Sequence, residues 1–263
     1  MDNLLEKDHI FSAYLSHKIK GSLCKPYDRL CGAVHVPPPS KYKRQVDKVT
    51  KRKKKGVLLA LCLWVAFMVW TALVCVVDVQ AIGPQDSNVG FATMNGAFHN
   101  LTGMKTWLYN LTDVLGLIPI ATAAGFAVLG LVQWIQRKSV RKVDGDILAL
   151  GVFYLIVMSV FVLFEIVVIN YRPVLIEGVL EASYPSSTTM LTAAVMPTAI
   201  MQACKRVKNQ LAKKCIGYAT AVFTVFMVVG RLISGVHWVS DIVGGLLFSI
   251  GAVVLYYNMA FVE

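Results

Sequence analysis

Twelve residues of this 263-residue chain, GRLISGVHWVSD from Gly230 to Asp241, set an arginine, a histidine and an aspartate inside its most apolar third. A charge at membrane depth costs about 2.5–3.5 kcal/mol on insertion scales, so ionisable residues in such surroundings point to function. His237 is the only histidine after residue 99. A neutral imidazole can act as nucleophile or base. Asp241 follows four residues later, one helical turn on, where it can hold one ring nitrogen and leave the other free. Arg231 adds a planar fork of donors suited to a phosphate.

Two further polar clusters interrupt the apolar sequence. INYRPVL contains Arg172 and Pro173, and SYPSSTTM contains Pro185 followed by Ser186, Ser187 and Thr188. A Pro-Ser-Ser-Thr helix start offers hydroxyls and unpaired backbone N–H groups, a natural seat for an anion. Each cluster alone has a plainer reading. Arg172 could snorkel, Ser186–Thr189 could serve only as a cap, and His237-Trp238 could be an interfacial pair. Asp241 is harder to dismiss, because an unpaired carboxylate inside a membrane helix is costly.

The elements that must position these residues follow from composition. Apolar residues make up 56% of the chain, which points away from an ordinary soluble domain and towards membrane spans. Six apolar segments are expected to cross a bilayer, at about 57–82, 114–135, 147–169, 187–204, 215–234 and 237–262, with Pro197 kinking the fourth. The fold class is therefore all-α: a polytopic six-helix bundle over 57–263, preceded by a basic region at 1–56.

Charge sets the orientation. Of 26 Lys and Arg, fourteen fall in residues 1–56, four in Arg137–Lys142 and five in Lys205–Lys214, leaving Lys105, Arg172 and Arg231. Basic residues stay on the cytoplasmic side, so both termini are expected inside and the stretches 83–113, 170–186 and the junction near 235 outside. That topology brings the three polar clusters to one depth at the outer face. The first apolar segment starts too far in for an ordinary signal peptide and reads as a retained anchor. The stretch 83–113 reads as a partly ordered loop, with sequons at Asn100 and Asn110.

The net charge of +11 would suggest nucleic acid in a soluble protein. Here the Lys51–Lys55 cluster reads better as a clamp on anionic lipid headgroups, and no nucleic-acid partner is expected. The six cysteines show no metal-type spacing, so neither a zinc site nor a disulfide framework is expected.

Together these residues resemble the type 2 phosphatidic acid phosphatase superfamily. Arg231, His237 and Asp241 are spaced as in its third signature, SRxxxxxHxxxD. Pro185-Ser186-Ser187-Thr188 is similar to its second, PSGH, and Arg172-Pro173 to the end of its first, KxxxxxxRP. The resemblance implies a metal-independent, cofactor-free hydrolase acting on a phosphorylated lipid. In it His237 attacks phosphorus, Asp241 orients it, Arg172 and Arg231 stabilise the transferring phosphoryl group, and Ser186 and Ser187 complete the cradle.

Three positions depart from the pattern: Glu165 where the family has lysine, Thr188 where it has a histidine acid, and Gly230 where it has serine. Losing a general acid typically costs about 10²–10⁴-fold with a poor leaving group and less with a good one. A prenyl diphosphate, whose leaving phosphate needs little protonation, would suit Thr188. The alternative is a catalytically silent relative that binds or translocates phospholipids. The expected location is the plasma membrane, with the site facing outward.

Overall fold

The computed structural model describes residues 39–262; a unit boundary falls between Val46 and Asp47, and residues 47–262 form one helical unit. The expected surface helix in LLEKDHIFSAYL and the cysteines Cys24 and Cys31 lie outside the described residues. Eight α-helices follow in order: α1 Pro39–Val76, α2 Ala92–Thr102, α3 Thr106–Leu115, α4 Leu117–Arg137, α5 Gly145–Ile166, α6 Ser187–Arg206, α7 Gln210–Ile233 and α8 Val239–Ala260. Among the described residues β-structure is limited to isolated bridges. Helices satisfy their own backbone, which is what an apolar solvent demands.

Among the described residues five stretches are long and apolar enough to cross a membrane: Val46–Val76, Thr106–Arg137, Gly145–Ile166, Gln210–Ile233 and Val239–Ala260. The chain is a multi-pass membrane protein. The remaining long helix, α6, carries Thr189, Thr192, Thr198 and Gln202, all buried. Its neighbours answer that polarity. Tyr154 Oη and Thr198 Oγ1 lie 3.0 Å apart, Ser249 Oγ donates to Met190 O at 2.9 Å, and Gln202 bonds Tyr256. Polar side chains facing other helices in this way join them, as expected inside a membrane bundle. Pro197 lies within α6, which continues past it as helix.

Three boundaries differ from those expected. The first apolar segment is helical from Pro39 only to Val76, not to residue 82. Asp78 takes a left-handed backbone (φ 47°), and its carboxylate accepts from Thr93 N at 2.7 Å and from Gln80, bonds that replace helix continuation. The second segment begins at Thr106 rather than 114. The stretch 83–113, expected to be partly ordered rather than helical throughout, contains α2 and most of α3.

An aromatic core locks the site loops to the bundle. The ring of Tyr184 stacks on Phe67 at 6.4 Å and meets Phe164 edge-on at 5.6 Å, while its hydroxyl bonds Thr71 Oγ1 at 2.6 Å. Gly244 of α8 makes this fit possible: a Cβ there would come within 2.6 Å of the Tyr184 ring. At the opposite ends of the same helices, Asp146 meets Arg206 at 2.8 Å and Lys205 at 3.1 Å, and Asp144 meets Arg137 at 2.8 Å and Arg206 at 3.3 Å. Those ion pairs draw the basic stretches 137–142 and 205–214 together.

Candidate active site

Backbone pairing aligns the first two polar clusters. After α5 ends at Ile166, Arg172 N donates to Glu181 O at 3.0 Å and Ser183 N to Asn170 O at 2.9 Å. This antiparallel contact lays Asn170 and Arg172 beside the chain entering Tyr184-Pro185. The second and third clusters meet where Ser186 N donates to the carbonyl of Asp241 at 3.1 Å.

The α7–α8 junction presents His237. Gly235 turns the chain with φ +76°, against the carbonyl of Gly103, where any side chain would clash. Trp238 caps α8: its N–H donates to Asp241 Oδ2 at 2.9 Å, and its indole Nε1 donates to Tyr171 O at 2.7 Å. Asp241 therefore organises the turn. Asn170 Nδ2 and Ser240 Oγ both reach Asp241 Oδ1 at 3.3 Å, so every side-chain neighbour of its carboxylate is a donor. Such a surround suits the ionised, acceptor-only form.

His237 Nδ1 lies 3.9 Å from Asp241 Oδ2, too far for a hydrogen bond. Ser183 fills the gap, with its hydroxyl 3.0 Å from His237 Nδ1 and 2.5 Å from Asp241 Oδ2. Nothing in the residue spacing singled out Ser183. Its only signal was its place at the head of the polar SYPSSTTM stretch, two residues before Pro185.

His237 is 3% exposed, Arg231 1% and Asp241 0%. Burial, with the charges of Arg172 and Arg231 adding to it, outweighs Asp241 and pushes the His237 imidazole down to about 4. The ring is neutral at physiological pH and its Nε2 is buried with no hydrogen-bond partner among the described residues. Arg172 Nε and Nη1 and Arg231 Nε are orphaned in the same way. Arg172 Nε does lie 3.2 Å from Glu181 Oε2, but the approach is off-line for a hydrogen bond. Arg231 Nη1 has distant neighbours, Thr112 Oγ1 at 3.4 Å and Asp113 Oδ1 at 3.6 Å, and its guanidinium sits over the Tyr109 ring at 5.2 Å.

Unpaired buried polar atoms cost about 1–3 kcal/mol each; the three orphaned guanidinium nitrogens can donate to a negatively charged group, and the unpaired imidazole nitrogen offers a lone pair beside them.

The remaining sequence candidates fall as follows. Ser186 is fully buried, its hydroxyl 3.1 Å from Thr189 Oγ1. No side chain caps the first turn of α6, so the N–H groups following Ser186 are open. Ser187 and Thr188 are half-buried there, and the Thr188 methyl faces Gly116 at the start of α4. Glu165 is not brought into the site. It lies exposed in the last turn of α5, and because the helix stops at Ile166 its side chain is not on the Arg172 face.

Helix α2 and the start of α3, assigned no role by the sequence, pack along the third cluster. Asn95 Nδ2 donates to Ser240 Oγ at 2.9 Å, the His99 ring packs 5.6 Å from Trp238, and Lys105 N donates to Ser234 O at 2.9 Å.

Comparison with known proteins matches the same residues. The sequence pattern of the PAP2 superfamily matches residues 169–263. The solved structure of a transmembrane PAP2 type phosphatidylglycerolphosphate phosphatase from Bacillus subtilis shares the fold, with a TM-score of 0.50 and 21% identity over 77% of this chain and 94% of that one. A search of curated proteins finds no match. The segment that matches the superfamily pattern, residues 169–263, holds Arg172, Ser186, Arg231, His237 and Asp241 in the signature order, and the chain shares its transmembrane fold with that solved structure.

Proposed function

We propose that the protein is a metal-independent phosphatase that hydrolyses a lipid phosphate or prenyl diphosphate at the extracytoplasmic face of the plasma membrane. The observation that carries this reading is the group of orphaned, buried nitrogens on Arg172, Arg231 and His237. His237 Nε2 attacks phosphorus as the P–O bond to the lipid breaks, and the leaving group departs with the electron pair. Arg172 and Arg231 take the charge that spreads over the phosphoryl oxygens, the main task in phosphoryl transfer. The open N–H groups of the α6 first turn and the hydroxyls of Ser187 and Thr188 complete the cradle. Water then hydrolyses the phosphohistidine.

Six membrane crossings with both termini inside fit this chemistry, α6 being the polar-lined crossing shielded by its neighbours. The basic run Lys51–Lys55 then lies at the inner surface, where anionic headgroups attract it.

Thr188 favours a diphosphate over a monophosphate, because no imidazole stands there to protonate a poor leaving group. The same residue supports a second reading, a silent relative that binds phospholipid without turning it over. Phosphate release from a panel of lipid monophosphates and prenyl diphosphates, with chelator present, separates the two. Activity that survives chelation and disappears in His237→Ala is expected. Thr188→His should raise the rate on monophosphates by about 10²-fold or more and on diphosphates far less. A folded wild type that releases phosphate from none of the panel overturns the enzyme reading.

A further inference from the structure

The distance between His237 and Asp241 leaves a question about how the imidazole is oriented. At 3.9 Å the carboxylate does not reach Nδ1, and no hydrogen bond between the two exists to choose a tautomer. Ser183 Oγ sits between them, 3.0 Å from Nδ1 and 2.5 Å from Asp241 Oδ2, with Ser183 itself 2% exposed. A hydroxyl carries one proton. It is shared with the nearer and charged acceptor, Asp241, because a charge-assisted O–H···O⁻ bond is the stronger of the two. The Ser183 oxygen is then an acceptor towards the ring, and Nδ1 must supply the proton between them.

We propose that Ser183 is a positioning residue: it relays the Asp241 carboxylate to His237, fixing the Nδ1–H tautomer so that Nε2 keeps its lone pair facing the orphaned arginine nitrogens. The assignment of Nε2 as nucleophile rests on the phosphatase reading; the relay itself does not. During attack the Nε2–P bond forms and the P–O bond breaks. The Nδ1 proton stays on the ring, bonded to Ser183 Oγ, and the serine proton stays on its bond to Asp241. The positive charge developing on the imidazole is met through the hydroxyl, without net proton transfer.

The serine is held for this task from both sides. Its N–H donates to Asn170 O at 2.9 Å, and Asn170 Nδ2 in turn reaches Asp241 Oδ1 at 3.3 Å. The next residue, Tyr184, is wedged between Phe67, Phe164 and Gly244. Backbone and ring packing together leave the hydroxyl little freedom to leave the gap.

The test is a ¹⁵N-histidine NMR spectrum of the full-length protein in detergent, with His237→Gln used to identify the His237 signals. Wild type is expected to show a protonated Nδ1 and an unprotonated Nε2. Ser183→Ala is expected to turn the ring to the Nε2–H form that free imidazole side chains prefer. Ser183→Cys, close in volume and a much weaker donor and acceptor, is expected to shift in the same direction and serves if the alanine variant does not fold. In the phosphate-release assay kcat should fall roughly 10–10²-fold in Ser183→Ala with KM little changed, below the ~10⁴-fold loss on removing a triad aspartate's charge. Ser183→Thr, which keeps the hydroxyl, should recover part of that loss.

An Nε2–H tautomer in wild type, or an unchanged Nδ1–H tautomer in both Ser183→Ala and Ser183→Cys, overturns the relay. A tautomer switch in a protein that hydrolyses no phosphate supports the relay and removes the phosphatase reading instead.

Discussion

At the scale of single residues, the site rests on a neutral histidine near two guanidinium groups. Burial and the arginine charges hold the His237 imidazole at about 4, well below its ordinary range near 6.5. The sign for stability follows. Between about pH 6.5 and 4 the unfolded chain takes up a proton that the folded one refuses, so the histidine's contribution is intact above 6.5 and is lost as pH falls through that window. Titration of the assigned His237 signal in the ligand-free protein should place its midpoint well below that of His237 in the denatured chain. A midpoint at or above 6.5 contradicts the geometry.

His237, Asp241, Arg231 and Arg172 were legible in the sequence because charge in an apolar surround is costly enough to stand out. Ser183 was not, since a lone serine in a membrane protein costs little and has many bland uses. Glu165, seven residues before Arg172, sits apart because α5 ends at Ile166 and the chain between them is not helical.

At the scale of elements, the site depends on a loop pinned by one aromatic ring. Tyr184 sits between Ser183 and Pro185, and its ring fills the space that the missing side chain of Gly244 leaves on α8. Gly244→Ala would set a methyl 2.6 Å from Tyr184 Cε2 and 2.7 Å from its hydroxyl. The ring must move, and the two residues beside it move too. Overpacking of this kind typically costs about 1–3 kcal/mol. A lowered midpoint of thermal unfolding is expected, together with loss of phosphate release greater than the stability change explains. Unaltered activity in Gly244→Ala would show that the loop position does not depend on this contact.

The helices that make these contacts were mostly readable from apolar length. The exceptions lie between α1 and α4: Asp78 ends α1 by accepting from Gln80 and from Thr93 fifteen residues on, and α2 and α3 form in a stretch whose Gly, Asn and Thr content read as only partly ordered. Tertiary contact with Ser234, Trp238 and Ser240 orders those two helices, and such contact leaves no mark in local composition.

At the scale of the whole unit, the charges and the site occupy opposite helix ends. Arg206 bridges Asp144 and Asp146, and Arg52 donates to Tyr257 Oη at 3.0 Å near the C-terminal end of α8. The basic residues around Lys51–Lys55 within α1, at the end of α4 and at the α6–α7 junction thus share one end, while Arg172, Ser186 and His237 lie at the other. The positive-inside rule assigns the basic end to the cytoplasm. Single cysteines in a background with the native cysteines replaced by serine provide the check. Asp86→Cys and Lys208→Cys both fall on exposed residues, on the site side and the basic side respectively. On intact cells a membrane-impermeant maleimide should label the first and reach the second only after permeabilisation. The reverse pattern would turn the site towards the cytoplasm, and a substrate would then have to reach His237 from the inner leaflet. Labelling at both positions before permeabilisation would mean an odd number of crossings between residues 86 and 208 is wrong, and with it the place of α6 as a membrane span.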